Sequence, residues 1–196
     1  MFAGFRYLLV GRQTPVRRLI GSHLQPRPHE RVLDVCCGVG QFAEEVSGRY
    51  VGVDLSISFV RAGASRFKGD PQKRFAVMDA LQLSFPDRVF DKAMCLAALH
   101  HFSDEASRRV LAEMRRVTRR RILIMDADGK PRRRLQRALV ATDRGRWMRA
   151  PSDLEALVRS VLPVARVVPV RIGLYDVVVY DCPLAPDEED VAASHA

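Results

Sequence analysis

One stretch constrains this chain more than any other: Val32-Leu33-Asp34-Val35-Cys36-Cys37-Gly38-Val39-Gly40-Gln41-Phe42. An apolar run ends in an acid and breaks into a turn of small residues. Such residues let backbone approach a ligand closely, because no bulky side chain stands in the way. The turn feeds Gln41–Val46, a helix-compatible segment. A helix there would aim its free N–H groups at whatever occupies the turn. A second apolar run, Tyr50-Val51-Gly52-Val53, ends in Asp54. Two strands that each finish in a carboxylate, with a glycine turn after the first, describe a nucleoside-binding α/β sheet.

The turn alone does not settle the ligand, because Gly38-Val39-Gly40-Gln41-Phe42-Ala43 also fits the loose dinucleotide pattern. The wider context decides. Asp34 precedes the glycines, and a third acid, Asp79, closes another strand-like run, Phe75-Ala76-Val77-Met78. A Gly-x-Gly turn is often a mere strand-to-helix connection, Asp54 and Ser56 fit a helix N-cap, and Asp79 alone is an ordinary loop acid. Three acids at three successive strand ends are harder to explain as caps.

This arrangement resembles the class I S-adenosylmethionine-dependent methyltransferases, nearest to the branch of the ubiquinone and menaquinone C-methyltransferases. The phrases that carry it are Val32–Gly40, Val51–Ser56, Met78–Pro86, Phe90–His101 and Val110–Asp126. The resemblance implies S-adenosylmethionine as cofactor. Cys36, Gly38 and Gly40 would wrap its methionine part, and Asp34 would lie beside its ammonium group. Asp54 would accept from the two ribose hydroxyls, as an ionised carboxylate can. Asp79 would meet the adenine amino group with Ala80 beside the ring, and Leu55 and Cys95 complete the implied cofactor-binding set. Cys36 stands where the family usually has glycine.

Alternation of strands and helices predicts the rest. Strands are expected near Arg31–Val35, Tyr50–Val53, Phe75–Met78, Phe90–Cys95 and Arg121–Met125, with helices at Pro15–Leu24, Gly40–Ser47, Ser56–Phe67 and Ser103–Val117. Ser103 is an N-cap ahead of the apolar series Val110, Leu111, Met114, Val117. The expected fold is α/β: a Rossmann-like, doubly wound, mostly parallel sheet covered on both faces. Ligands sit beyond the carboxyl ends of such strands, at the switch in strand order. Two further helices, Pro131–Thr142 and Ser152–Val161, precede the β-rich runs Ala165–Arg171 and Leu174–Tyr180. Their short link, Ile172-Gly173, makes a hairpin, matching the family's antiparallel last strand. The expected domain is residues 1–182: a helical N-terminal segment (1–28), a cofactor-binding core (30–126) and a substrate-side region (127–182). Residues 183–196, with Asp187-Glu188-Glu189-Asp190, read as an acidic disordered tail. Phe2, Phe5, Tyr7, Leu8 and Leu9 suit either a lid over the site or packing on the sheet edge.

Length agrees with one compact domain. The start of the chain lacks a full signal core, and no stretch approaches the ~20 apolar residues of a membrane span. The expectation is a cytoplasmic protein, or one peripheral to a membrane. The four cysteines include no C-x-x-C pair, so neither a zinc site nor a disulfide framework is suggested.

Charge is the second signal. The net charge is +9, yet residues 108–149 alone hold 15 basic and four acidic side chains. Three readings fit: a solvated, arginine-biased surface, an anionic-membrane contact through residues 130–149, or nucleic acid. Leu135, Ala138, Leu139 and Thr142 form one face of an arginine-rich segment with Trp147 just beyond, which suits lipid. Nucleic acid is less favoured, because aromatics interleaved with the arginines are scarce.

The cofactor implied by the resemblance carries an activated methyl donor, so little chemistry is left for the protein. It must align an acceptor, exclude water and, where the acceptor loses a proton, supply a base. By position after the fourth strand, His100 and His101 are the catalytic candidates, although histidines at such corners often only order the loop. In amino-methylating relatives an Asn/Asp-Pro-Pro-aromatic motif occupies this position. Here it reads Cys95-Leu96-Ala97-Ala98-Leu99-His100, which argues for a small-molecule or lipid-like acceptor, with a quinone-type ring or lipid headgroup as guesses. Two alternatives remain: a noncatalytic binding protein on the same fold, and an RNA-directed enzyme using the basic patch. A nicotinamide-dependent reductase is disfavoured, because no Tyr-x-x-x-Lys occurs.

Overall fold

The computed structural model of the chain describes residues 14–130, 145–172 and 175–184. The elements are α1 (Thr14–Leu19, continued by a π turn over Ile20–Leu24), β1 (Arg31–Val35), β2 (Arg49–Asp54), α2 (Ile57–Arg66), β3 (Lys73–Val77), β4 (Phe90–Leu96), α3 (Asp104–Val117), β5 (Thr118–Ala127), α4 (Pro151–Arg159), β6 (Arg166–Ile172) and β7 (Tyr175–Pro183). The strands form one seven-stranded sheet in the order β3-β2-β1-β4-β5-β7-β6. Pairing is parallel from β3 through β5, and β7 runs antiparallel to both β5 and β6. This is the doubly wound sheet with an antiparallel end that the alternation predicts. Strand order reverses between β1 and β4, so the crevice for a ligand opens at their carboxyl ends.

The central strands β1, β4 and β5 are largely buried because both faces of the sheet are covered there. In β5, Ile122 and Ile124 enter one core layer while Leu123 and Met125 enter the other. The first layer is closed by Val110, Leu111, Met114 and Val117 of α3 and by Leu154, Leu157 and Val158 of α4. The second is closed by Val16, Ile20 and Leu24. α3 begins as its sequence predicts, with the Ser103 hydroxyl accepting from the Ala106 N–H at 3.2 Å.

One expected element is absent. Gly40–Ser47 is not an α-helix; it holds a single 3-10 turn, Ala43–Glu45. Its bonds run from Ala43 N–H to the Gly40 carbonyl and from Val46 N–H to the Ala43 carbonyl. The reason is reach. To start β2 parallel to β1, the chain must return the length of a five-residue strand, ~16 Å. The nine or so residues available span only ~13 Å as an α-helix. The end of the segment is pinned too: a Cβ on Gly48 would lie 2.3 Å from the Glu30 carbonyl oxygen. Lys73 Nζ takes the place of the missing helical bonds, donating to the carbonyls of Val46 and Gly48.

Two boundaries also move. Ile172 pairs with Tyr175, so the hairpin link lies one residue later than expected. Pro183 pairs with Arg121 in β7, and the Leu184 N–H reaches the Arg120 carbonyl at 2.6 Å. β7 therefore runs to Pro183. The expected N-terminal lid, the helix at 131–142 and the tail beyond 184 lie outside the described residues.

Candidate active site

The turn after β1 is left-handed at three positions: Cys36 (φ 59°), Gly38 (φ 55°) and Gly40 (φ 68°). Gly40 is also sterically required, since a Cβ there would meet the Phe75 ring at 2.4 Å. Gly38 differs: a Cβ there would meet nothing within 4 Å, so open space lies above the turn.

Asp54, at the end of β2, ties this turn to the next. Its Oδ2 accepts the Gly38 N–H and its Oδ1 the Ser56 N–H, both at 2.9 Å. Met78 N–H donates to the Asp54 carbonyl, which brings in the loop after β3. Beside this junction Leu55 is exposed (72%) and Asp79 is exposed, with Asp79 Oδ1 accepting the Leu81 N–H at 2.9 Å. Gly38, Asp54, Leu55 and Asp79 thus meet around one open end of the sheet.

Three other expected residues lie deeper. Ala80 is buried in the core. Cys95 is completely buried, and the neighbouring Cys36, then burial, push its thiol well above the ordinary range. Asp34 is 3% exposed beneath the turn, and its Oδ2 accepts the Tyr50 hydroxyl at 2.7 Å. Burial lifts the Asp34 carboxyl to about 7; the nearby Asp54 charge adds to this and the Tyr50 hydrogen bond opposes it. Burial and the charges of Asp34 and Asp54 likewise push the Cys37 thiol far up.

The two histidines occupy different environments. His100 is buried, its Nδ1 2.5 Å from Asp126 Oδ1 and its backbone N–H donating to Asp126 Oδ2 at 2.8 Å. His101 is exposed, with its ring centroid 4.3 Å from that of His100. The returning segment 145–150 packs on this loop. Trp147 N–H donates to the His100 carbonyl at 2.9 Å, and a Cβ on Gly145 would lie 2.2 Å from the His100 ring. Arg149 clasps the loop from both sides, donating to the carbonyls of Leu99 (3.0 Å) and Phe102 (2.7 Å) and pairing with Asp104 at 2.8 Å.

Sequence reasoning missed Asp126 as a site residue, although it closes a fourth apolar run just as Asp34, Asp54 and Asp79 close theirs. No sequence signal marks Arg149 among so many arginines. The basic cluster itself divides in the fold. Arg115–Arg121 sit at the end of α3 and the amino end of β5, away from the crevice. There Arg116 pairs with Glu113 and Asp87, Arg119 with Asp91, and Arg121 with Asp181. Among the described residues no helix is long and apolar enough to cross a membrane.

Residues 32–121 match the family model of a methyltransferase domain. The match and the fold make the chain similar to the class I S-adenosylmethionine-dependent methyltransferases, with menaquinone methyltransferases among its relatives. It is 32% identical over 141 residues to the demethylmenaquinone methyltransferase of Thermobifida fusca, covering 68% of this chain and 59% of that one. It is 33% identical over 104 residues to that of Lysinibacillus sphaericus, covering 50% and 44%. The chain thus spans about half the length of these curated relatives. Among solved structures, magnesium protoporphyrin IX methyltransferase from Synechocystis, with bound SAH, superimposes with a TM-score of 0.69 at 18% identity, over 88% of this chain and 81% of that one.

Proposed function

We propose that this protein transfers a methyl group from S-adenosylmethionine to a small aromatic acceptor of quinone type. The observation that carries the reading is the Asp54 junction, where one carboxylate joins two strand-end turns beside an open space. The residues present suit the cofactor. The space over Gly38 admits a ligand against bare backbone. The ionisable groups around the turn after β1 are the Asp34, Asp54 and Asp79 carboxyls and the Cys36 and Cys37 thiols, a set that favours a cation. In this reading Asp54 accepts from the ribose hydroxyls with its remaining lone pairs, Leu55 covers the nucleoside, and Asp79 meets the adenine edge. Asp34 lies beneath the turn, where burial lifts its carboxyl to about 7 and a bound cation would favour its ionised form.

The cofactor, when bound, supplies a methyl group on a sulfonium, already activated toward a nucleophile. The protein orients the acceptor and removes its proton. Exposure distinguishes the two histidines. His101 is the one open to an acceptor, and we assign it the role of base. Asp126 fixes His100 in a single orientation, and His100 in turn holds the loop on which His101 stands. The demethylmenaquinone methyltransferases among the relatives suggest a hydroquinone ring as acceptor.

Transfer of labelled methyl from S-adenosylmethionine to a panel of naphthohydroquinones tests this. We expect turnover that His101→Gln lowers by ~10²–10⁴-fold with loss of the acidic limb of the pH profile. No transfer to any ring acceptor, or an unchanged profile in His101→Gln, would refute the assignment.

A further inference from the structure

We infer that Trp147 is the platform on which the acceptor ring stacks, and that this side chain selects planar aromatic acceptors over flexible ones. The inference rests on the proposed function, because it uses His101 as the base to locate the acceptor. Trp147 is the sole tryptophan of the chain. It is 44% exposed, whereas tryptophan is on average highly buried. The other large exposed hydrophobics among the described residues are Leu55, Ile57, Phe59 and Val77. They lie between the end of β2 and the end of β3, on the side given to the nucleoside. Trp147 stands apart from them, bonded to the loop after β4.

The backbone beneath the indole is held on both sides. Residues 145–150 form no helix or strand, yet Trp147 gives both of its main-chain groups to protein partners. Its N–H donates to the His100 carbonyl at 2.9 Å, and its carbonyl accepts from Arg149 at 3.2 Å. Two residues on, the Arg149 carbonyl accepts the Gly129 N–H at 2.8 Å. The two backbones touch there, since a Cβ on Gly129 would lie 2.5 Å from the Arg149 carbonyl oxygen. The Arg149 guanidinium then reaches Leu99, Phe102 and Asp104. The segment is thus tied to the loops after β4 and β5 alike, at the carboxyl ends where an α/β sheet takes its ligands. An ordered frame that leaves a large apolar ring in water forgoes its burial. Such rings recur where a partner covers them, because they bring wide contact area with only two torsions to freeze.

The same frame sets the distance to the base. The carbonyl that receives the Trp147 N–H belongs to the peptide joining His100 to His101. Through that bond, standard backbone dimensions keep the Trp147 and His101 Cα atoms within ~7 Å of each other. His101 is exposed like Trp147, so two open aromatic rings stand on neighbouring backbone positions. Aromatic pairs settle with centroids ~4.5–7 Å apart, offset or edge-on. An acceptor ring stacked on the indole at that spacing has its hydroxyl within reach of the His101 imidazole. One side chain then holds the ring and the other takes its proton. The indole N–H is a donor for an oxygen on the ring edge. A flexible aliphatic acceptor offers no face to stack.

A lone tryptophan makes the test direct, because all indole fluorescence reports on this position. The purified chain, with S-adenosylhomocysteine present so that no turnover occurs, is titrated with a naphthohydroquinone and, separately, with cyclohexanediol as the nonplanar control. We expect a saturable quench by the naphthohydroquinone with the fluorescence lifetime unchanged, and none by cyclohexanediol. Calorimetry on variants supplies the second reading. Trp147→Ala should weaken the naphthohydroquinone Kd by at least ~10-fold and leave the S-adenosylmethionine Kd within ~2-fold, whereas Trp147→Phe should restore ring binding to within ~3-fold of wild type. In turnover the Ala variant should raise the acceptor KM and spare kcat, as loss of uniform binding does. Both hydrogen bonds of Trp147 are made by main chain, so the substitution preserves them. No saturable quench, an equal quench by cyclohexanediol, or ring binding unchanged in Trp147→Ala would overturn the inference. So would a spectral response to anionic lipid vesicles with none to the ring. Failure of the proposed function looks different: no methyl would be transferred to any ring, while the quench and the Kd values, which need no turnover, would still decide the platform.

Discussion

Replacing Asp34 by Asn should make the protein's stability less dependent on pH, and the size of the effect follows from the burial of that carboxyl. Its folded value is about 7 against an ordinary 3.8. A raised carboxyl means that the folded state holds its proton more tightly than the unfolded chain does. Below about pH 4 both states are protonated and the group has no effect. Between about pH 4 and pH 7 the unfolded chain ionises first, and stability falls as pH rises; above about pH 7 the full cost is present. Three units correspond to about 4 kcal/mol as an upper figure. Asn keeps an oxygen to accept the Tyr50 hydroxyl but cannot ionise, so it escapes this cost. Urea unfolding of both proteins at about pH 4.5 and about pH 8.5 isolates the term, because every other titrating group cancels in the difference. The advantage of Asp34→Asn should grow by about 3 kcal/mol between the two pH values. A difference that stays constant within about 0.5 kcal/mol would refute the buried, protonated Asp34.

Other consequences are equally direct. Lys92 and Glu30 form a buried ion pair at 3.0 Å, with Lys92 Nζ also donating to the Gln25 carbonyl at 2.8 Å; Lys92→Met strands the carboxylate and should cost about 3–5 kcal/mol in urea melts. Gly40→Ala combines a positive φ with collision against Phe75, and should lower stability by about 1–3 kcal/mol, read as a lower denaturation midpoint. Arg149→Gln removes the clasp on the Leu99 and Phe102 carbonyls; amide exchange should quicken at Trp147, whose N–H binds His100, while the Val110–Val117 helix stays protected.

The sheet was legible because most of its strands hold a short apolar run with a turn residue at one end. α3 was legible because its cap and its 3.6-residue stripe agree. The Gly40–Ser47 helix was misread for a reason local patterning does not contain: the distance the chain must cover before β2. Asp34 and Cys95 lie deeper than their places near strand ends suggest, because depth within a strand end is set by tertiary packing. Asp34 and Asp54 look alike in sequence, yet one faces Tyr50 in the core and the other bridges two turns at the surface. The arginine cluster read as one patch along the chain, but among the described residues β5 separates Arg115–Arg121, before and at its amino end, from Arg149, which packs on the loop after β4. Arg149 was invisible for the same reason, since its partners lie about 40–50 residues away in the chain.

Isothermal calorimetry of the reduced protein with S-adenosylmethionine, on wild type and Asp54→Ala, bears most directly on whether the strand-end carboxylates hold a nucleoside. Wild type should give a one-to-one binding heat. Loss of two charge-assisted contacts in Asp54→Ala should weaken it by at least ~100-fold, with the fold verified by circular dichroism. No heat from the folded wild type, or equal affinity in the variant, would contradict the account.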